Sequence, residues 1–320
     1  MNAAIETSES GFAAPAAAPH PVRPFYWSVR RELWENRSLM IAPLVTAGVL
    51  LLALVTSLIA NASQLPQGMQ VLASLPPERQ QMMVAGSYVG TGIVIALVMN
   101  IAVFFYLLDA LQGERKDRSV LFWKSLPVSD TTAVLSKVLT AVLISPAIVL
   151  ATVIATQIVV LLLATVILLI GGVNPVGIWA NPQLFQMVVA SVYALLAIEL
   201  WYAPVTAWLL FVSSWAKRVA ILWATLTPVA LMLFEHVAFG TRYVRDLIGY
   251  RLVGGLKTAF VAHSQAPEFS DGVNVKMPHR VLDALDPIAF FGNPWLWVGL
   301  VVAAGFVAAA IWMRRYREPL

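Results

Sequence analysis

Long runs of apolar residues constrain this chain more than any other feature of its sequence. About 20 residues of helix, rising about 1.5 Å each, cross a hydrocarbon core of about 30 Å. Six runs approach or exceed that length, at about 38–60, 84–108, 138–170, 184–212, 218–238 and 294–313. Backbone amides in lipid must be bonded within the protein, so such runs form helices. The sequence therefore predicts an all-α membrane protein whose residues 38–318 form a domain of six transmembrane helices.

Composition excludes several other classes of protein. Only 12% of the 320 residues are charged and 59% are hydrophobic, whereas an average soluble domain is about 25% charged. Cysteine is absent, so disulfides, thiolate metal sites and thiol nucleophiles are excluded. The four histidines share no metal-ligand spacing. We therefore predict no catalytic residue and no metal site. We also predict no nucleic-acid partner, because in a membrane protein the placement of Lys and Arg is more informative than the net charge, here +4.

The placement of Lys and Arg predicts that both ends of the chain are cytoplasmic. If the N-terminus is inside the cell, the first two loops on the outer side contain Arg79 as their only Lys or Arg residue. Short loops rich in Lys and Arg stay inside. With the N-terminus inside, 14 of the 21 Lys and Arg fall in cytoplasmic segments: Arg23, Arg30, Arg31, Arg37, Arg115, Lys116, Arg118, Lys124, Lys137, Lys217, Arg218, Arg314, Arg315 and Arg317.

Two segments precede the first run. Residues 1–21 are rich in Ala, Pro and Ser and contain no Lys or Arg, so we expect a disordered cytoplasmic tail rather than a signal peptide. Residues 22–37 are predicted to form an interfacial elbow helix; an aromatic-rich membrane flank is the alternative. Helical spacing puts Val22, Phe25, Tyr26, Val29 and Leu33 on one stripe, away from Arg23, Arg30, Arg31 and Glu35.

Residues 239–293 are predicted to be extracytoplasmic. They begin with a partly helical stretch at 241–262, followed by loop at 264–280. The stretch DPIAFFGNPW at 286–295 has two prolines around an apolar patch. It fits a segment that dips back into the outer leaflet, and it also fits a long loop.

The connection between the second and third runs is the most informative part of the chain. It leaves the membrane at Asp109 and is strongly charged from Glu114 to Arg118. An apolar knob follows at 120–123, and Pro127 breaks the helix before Ser129 or Asp130 caps the next one. Exposed apolar groups beside basic ones on a cytoplasmic loop are typical of a docking element.

This connection resembles the coupling-helix region of permease subunits of ABC type-2 exporters. The stretches 199–218 and 293–318 also resemble that family, in an order that covers nearly the whole chain after residue 22. The matching residues of the connection, in the run GERKDRSVLFWKSLPVSD…LSK, are Glu114, Arg115, Ser119, Leu121, Phe122, Ser125, Leu126, Pro127, Ser129 and Lys137.

The resemblance implies a transporter of a bacterial-type inner membrane in which two permease copies form a homodimer with two ATPase subunits. The ATPase would bind ATP and Mg, since this chain lacks the GxxxxGK[ST] loop that cradles nucleotide phosphates. The coupling helix between the second and third spans would dock into the ATPase. The docking residues implied are Glu114, Arg115, Arg118, Val120, Leu121, Phe122, Trp123, Ser125, Leu126, Pro127 and Ser129.

A translocation path or gate is predicted around Glu199, with the neighbouring aromatics Trp201 and Tyr202. Glu199 is the one carboxylate within a long apolar run, and a charge at mid-bilayer usually faces a bundle interior or a wet cavity. Counting back about 20 residues from Lys217 puts it near the outer interface, where a structural hydrogen-bonding role is the alternative. Asn100 in the second span is a further candidate, with interhelical packing as its alternative.

Two other functions fit six apolar helices. A secondary transporter or channel without an ATPase partner would need several buried ionisable groups along one path, and the sequence offers essentially one. A membrane-embedded enzyme would need a convergent nucleophile, base or metal set, which the sequence does not offer. The exporter permease is therefore the leading hypothesis.

Overall fold

A computed structural model describes residues 22–117, 128–172, 174–180, 183–260 and 281–316. These residues form helices and turns without any strand; only an isolated bridge joins Phe260 to Leu285. Six of the helical segments are long and apolar enough to cross a membrane. The prediction of a helical membrane protein with six such segments is confirmed, and the protein is a multi-pass membrane protein.

Thirteen helices are labelled in chain order within the described residues. They are α1 (Val22–Glu35), α2 (Ser38–Ala60), α3 (Leu65–Ser74), α4 (Pro77–Asp109), α5 (Gln112–Lys116), α6 (Asp130–Leu139), α7 (Ser145–Ile170), α8 (Val176–Trp179), α9 (Gln183–Trp215), α10 (Ala220–Phe239), α11 (Tyr243–Ala259), α12 (Pro287–Gly292) and α13 (Pro294–Tyr316). Short 3-10 segments lie at Ala62–Gln64 and Val281–Ala284. The predicted tail at 1–21 lies outside the described residues.

The outward surfaces of the long helices are apolar. Large exposed side chains include Leu52 on α2, Leu97 on α4, Leu162 on α7, Leu226 on α10 and Val301 on α13. Water would not favour so many exposed apolar groups, whereas hydrocarbon solvates them well. These surfaces therefore suit contact with lipid.

Helix α9 lies at the centre of the bundle. It packs along α13 and also contacts α4, α10 and α11. Buried residues of its C-terminal half join the larger hydrophobic cluster, for example Leu210 and Val212. At the level of Trp201 it joins a smaller cluster with Phe290 and Leu296. We call the end of the bundle with α1, α5 and the C-terminus of α13 the junction end, and the end with α11 and α12 the opposite end.

Helices α6 and α7 form one continuous rod joined by a π-helical turn at Thr140–Ile144. Pro146 follows directly, and proline has no N–H and crowds the preceding turn. The Thr140 carbonyl accepts the backbone N–H of Ser145, five residues later, and also the Ser145 hydroxyl at 2.9 Å, so both donors of Ser145 close the wider turn. The distortion of the rod next to Pro146 is thus a π turn.

Candidate functional site

A cluster of buried and partly buried charges joins four helices at the junction end. Three cationic and three anionic side chains compose it, so its formal charge is zero, and we call it the charge junction. α1 contributes two of them, α5 one, α6 two and α13 one: Arg31, Glu32, Glu114, Asp130, Lys137 and Arg314.

Glu32 and Lys137 form the most buried pair of the charge junction. Their side chains are 1% and 3% exposed, and Lys137 Nζ lies 2.8 Å from Glu32 Oε1. Glu32 also accepts a hydrogen bond from the Tyr106 hydroxyl at 3.1 Å and from Arg31 at 2.9 Å. The pair therefore attaches α1 to α6 and to the end of α4.

Glu114 connects the remaining members. Its Oε1 lies 3.1 Å from Lys137 Nζ and 3.2 Å from an Arg31 nitrogen, and its Oε2 pairs with Arg314. Arg314 also donates from Nε to Asp130 at 3.1 Å. α5 and α6 are thus joined to each other, to α1 and to the last helix, α13.

Glu35 lies at the rim of the charge junction. It is 3.4 Å from Arg31, and half of its side chain is exposed. Partial burial raises the pKa of the Glu35 carboxyl, while Arg31 opposes that shift. Glu35 is therefore at the edge of the charge junction, and its three anionic members, Glu32, Glu114 and Asp130, make the connections between helices.

The charge junction holds four helices in one arrangement but adds little to the net stability of the protein. A buried ion pair gains little over apolar packing, but removal of one partner leaves an uncompensated buried charge and typically costs about 3–5 kcal/mol. An arrangement of helices that separated these pairs would incur that cost. The charge junction therefore favours one relative placement of α1, α5, α6 and α13.

Arg115 makes a second fastening beside the charge junction. Its side chain is buried, and one guanidinium nitrogen donates to the carbonyls of Ser213 and Ala216 at 2.8 Å each. These carbonyls lie at the C-terminus of α9, where the last turn of a helix lacks intrahelical donors. Arg115 therefore holds α5 against the end of α9.

Three of the eleven predicted docking residues lie in described parts of the chain. Glu114 and Arg115 are buried in contacts within the chain, and Ser129 caps α6 by accepting from the Thr132 N–H at 3.1 Å. The capping role predicted for Ser129 or Asp130 is thus confirmed for Ser129. The other eight lie outside the described residues: Arg118, Val120, Leu121, Phe122, Trp123, Ser125, Leu126 and Pro127. Contact of the set with a partner stays a prediction.

The charge junction was not predicted from the sequence. Arg31, Lys137 and Arg314 served there only to orient the chain, and Glu32 had no predicted role. The signal was the position of Glu32 on α1, where helical spacing puts it beside Ser28 and Val29 on the side that packs against the protein. Tyr26, which was assigned to the apolar stripe, is exposed.

The predicted path residues lie in different environments. Glu199 is partly buried at the middle of α9 and has no hydrogen bond or ion pair to any described residue. Trp201 is fully buried, and its indole N–H donates to the Arg251 carbonyl at 2.8 Å. The Tyr202 hydroxyl donates to the Leu252 carbonyl at 2.6 Å. Both aromatics therefore fasten α11 to α9.

Asn100 lies apart from these residues, on α4. Its side chain is exposed, and its amide donates to the Ala96 carbonyl of its own helix at 2.9 Å. The amide therefore does not need a partner on another helix to satisfy this donor. A path through Glu199 and Asn100 stays a prediction.

Close packing of Trp201 gives a testable consequence at Gly255 on α11. A Cβ at Gly255 would lie 2.5 Å from two ring carbons of Trp201, and overpacking of this kind costs about 1–3 kcal/mol. We expect Gly255→Ala to lower the free energy of unfolding by that amount, measured by thermal unfolding in detergent. The matched control is Gly249→Ala on the same helix, which has nothing within 4 Å of the added Cβ. Equal stability of the two variants would contradict the packing.

Sequence reasoning also gave no role to Glu235, near the end of α10. Its carboxylate accepts from the Thr241 hydroxyl at 2.6 Å and from the N–H groups of Tyr243 and Val244 at 2.7 Å each. Those N–H groups begin α11 and would otherwise lack acceptors. Glu235 is thus the cap that turns the chain from α10 into α11. The signal in the sequence was Gly240, a residue type that commonly ends a helix; its φ is positive at the end of α10.

Within the described ranges, no group of three or more His, Asp or Glu side chains is placed to hold a metal ion. Comparison with protein-family models, curated proteins and solved structures found no match to the chain.

Proposed function

We propose that this protein is the permease subunit of an ABC exporter, which forms the translocation path and couples to a separate ATPase subunit. The observation that carries the proposal is the way in which the connection between α4 and α6 is held. Glu114 and Arg115 fix its outgoing arm, and Asp130 and Lys137 fix its returning arm. Between these arms lie the apolar and basic residues 118–127. A docking segment whose two flanking segments are held in place can pass a movement of a bound partner on to the helices.

The charge junction would transmit that force into the membrane. Movement of residues 118–127 by the ATPase would reach α4 through α5, α7 through the rod that α6 begins, and α13 through Arg314. α1 would serve as the elbow helix, held to the same junction by Glu32. Such a switch requires contacts that differ between two states, and closely packed helices convert small displacements into discrete rearrangements.

The orientation follows from the same end of the molecule. We place the junction end on the cytoplasmic side because Lys116, Lys217 and Arg315 lie near it, in addition to the charge junction itself. Both termini would then be cytoplasmic in a bacterial-type inner membrane. Two copies of this chain and two ATPase subunits, which bind ATP and Mg, would form the working transporter.

Glu199 is our candidate for the translocation path. It lies on the face of α9 that also carries the exposed residues Val192 and Leu196. A carboxylate facing hydrocarbon is costly, so this face suits a cavity or a second copy of the chain better than lipid. Trp201 and Tyr202 would support the path by holding α11 in place.

The proposal is tested by the double substitution Leu121→Asp with Phe122→Asp. Two carboxylates in an apolar contact should weaken binding of the ATPase about thirtyfold, the loss expected for a contact worth about 2 kcal/mol. The measurement is the affinity of the co-expressed ATPase for the purified permease, together with ATP hydrolysis by the complex.

The matched control is Thr131→Asp, which adds a carboxylate at an exposed position in the first turn of α6. It should leave both binding and hydrolysis unchanged, because a negative charge is favourable at a helix N-terminus. Normal assembly and hydrolysis in the double variant would contradict the docking assignment.

A further inference from the structure

The outward face of α1 carries an arginine between two tryptophans. The Arg30 guanidinium carbon lies 5.1 Å from the ring centre of Trp27 and 4.7 Å from that of Trp34. The two tryptophans are 56% and 62% exposed, and Tyr26 beside them is also exposed. We call Tyr26, Trp27, Arg30 and Trp34 the aromatic–arginine face.

An ordinary surface helix has apolar side chains on its inward side and polar ones on its outward side, whereas α1 has polar side chains inward and aromatic ones outward. Its inward side buries Ser28 and Glu32, and Glu32 belongs to the charge junction. Its outward side presents large aromatic rings instead of a solvated polar surface. Exposed aromatic groups of this size in one patch indicate an interaction surface.

The start of α2 places this face at a membrane boundary. α1 ends at Glu35 and α2 begins at Ser38. The first turns of α2 already expose Met40, Ile41 and Leu44, which are suited only to hydrocarbon in a multi-pass protein. Trp34 therefore lies within about two helical turns of the hydrocarbon, and Trp and Tyr rings concentrate at the headgroup level of bilayers.

Arg30 brings a positive charge that no carboxylate of the described residues neutralises. It forms no ion pair with any residue in the described ranges. A guanidinium presents five donors in a planar fork that matches phosphate oxygens. The rings of Trp27 and Trp34 cover its sides and would hold the fork in one orientation.

We infer that the aromatic–arginine face binds the headgroup phosphate of an anionic phospholipid. An anionic headgroup leaves the phosphate charge for Arg30, whereas the choline of phosphatidylcholine offsets that charge. The tryptophans contact the glycerol and the first acyl carbons, as their depth in the interface requires. This inference goes beyond the proposed function and does not depend on it, because it needs no ATPase.

The experiment is a competition measured on the full-length protein in detergent micelles. Equal concentrations of phosphatidylglycerol and phosphatidylcholine are added, and native mass spectrometry gives the ratio of the two lipids bound. Loss of one arginine contact with an anionic headgroup weakens binding about fivefold. We therefore expect Arg30→Gln to lower the phosphatidylglycerol-to-phosphatidylcholine ratio about fivefold and Trp34→Leu to lower it less.

The matched control is Arg315→Gln. Arg315 is exposed near the same end of the bundle, and its guanidinium carbon lies 5.6 Å from the ring centre of Tyr316, not between two tryptophans of the described residues. It should leave the ratio unchanged. An unchanged ratio in Arg30→Gln, or an equal loss in both arginine variants, would overturn the inference. So would dissociation of an oligomer by Arg30→Gln at an unchanged lipid ratio, because the face would then contact protein.

Discussion

Replacement of Lys137 by methionine is expected to lower the free energy of unfolding by about 3–5 kcal/mol. Lys137 lies between two buried carboxylates, at 2.8 Å from Glu32 and 3.1 Å from Glu114. Methionine has a similar length but no charge, so both carboxylates would lose a shared cation in a place that water does not reach. The measurement is reversible unfolding of the purified protein in detergent or in bicelles.

Two variants separate this effect from a general sensitivity to lysine replacement. Lys116→Met makes the same chemical change at an exposed position and should change stability by less than about 0.5 kcal/mol. Addition of Glu32→Gln to Lys137→Met restores the charge balance and should recover more than half of the loss. If the double variant were less stable than Lys137→Met alone, the two residues would not act as a pair.

Replacement of Arg115 by methionine is expected to cost about 3 kcal/mol. Hydrogen bonds from a charged donor contribute about 1.5–3 kcal/mol each, and Arg115 donates to two carbonyls at the end of α9. Without them, the two carbonyls at the end of α9 would lose their bonds to the guanidinium in a buried place. Unfolding in the same detergent measures the loss.

The conservative variant Arg115→Lys is informative here. Both bonds come from one nitrogen, and a lysine ammonium also has several N–H groups on one nitrogen. The loss in this variant should be intermediate because the flexible, strongly hydrated ammonium is less well positioned than the planar guanidinium. Arg315→Met, at an exposed site, should be close to neutral. Equal stability of Arg115→Met and the native protein would show that the contact between α5 and α9 does not depend on this side chain.

The membrane-length helices were predictable from the sequence because the property that defines them is local. A run such as that at 38–60 contains the length and hydropathy that a bilayer demands. The same is true of caps: Ser129 precedes a helix and accepts from an N–H three residues later. Neither feature requires knowledge of a distant residue.

The charge junction could not be predicted in this way, because its pairs join distant parts of the chain. Lys137 reaches Glu32 across 105 residues, and Arg314 reaches Glu114 across 200. Sequence reasoning could use these charges to orient the chain, but it could not say which of them meet. The same limit applies to Trp201, whose burial depends on α11 folding back against α9.

Carboxylates in apolar helices show a related limit. Glu199 lies within the apolar run 184–212, and Glu235 lies near the end of the run 218–238, so each is an acidic residue beside many apolar ones. Glu235 caps the next helix, whereas Glu199 has no partner among the described residues. The two carboxylates differ in whether backbone N–H groups donate to them: Glu235 has such donors and caps a helix, whereas Glu199 has none within the described ranges and is a candidate for the translocation path.

The most direct test of the exporter assignment is a crosslink from the connection between α4 and α6. The chain has no cysteine, so Ser125→Cys introduces a unique thiol within residues 118–127. A bifunctional reagent is applied to inside-out membrane vesicles, and mass spectrometry identifies the adduct. We predict a crosslink to a protein that carries a GxxxxGK[ST] nucleotide-binding loop. A thiol that reacts only from the outer side of the membrane, or that forms no protein adduct in vesicles that transport actively, would contradict the assignment.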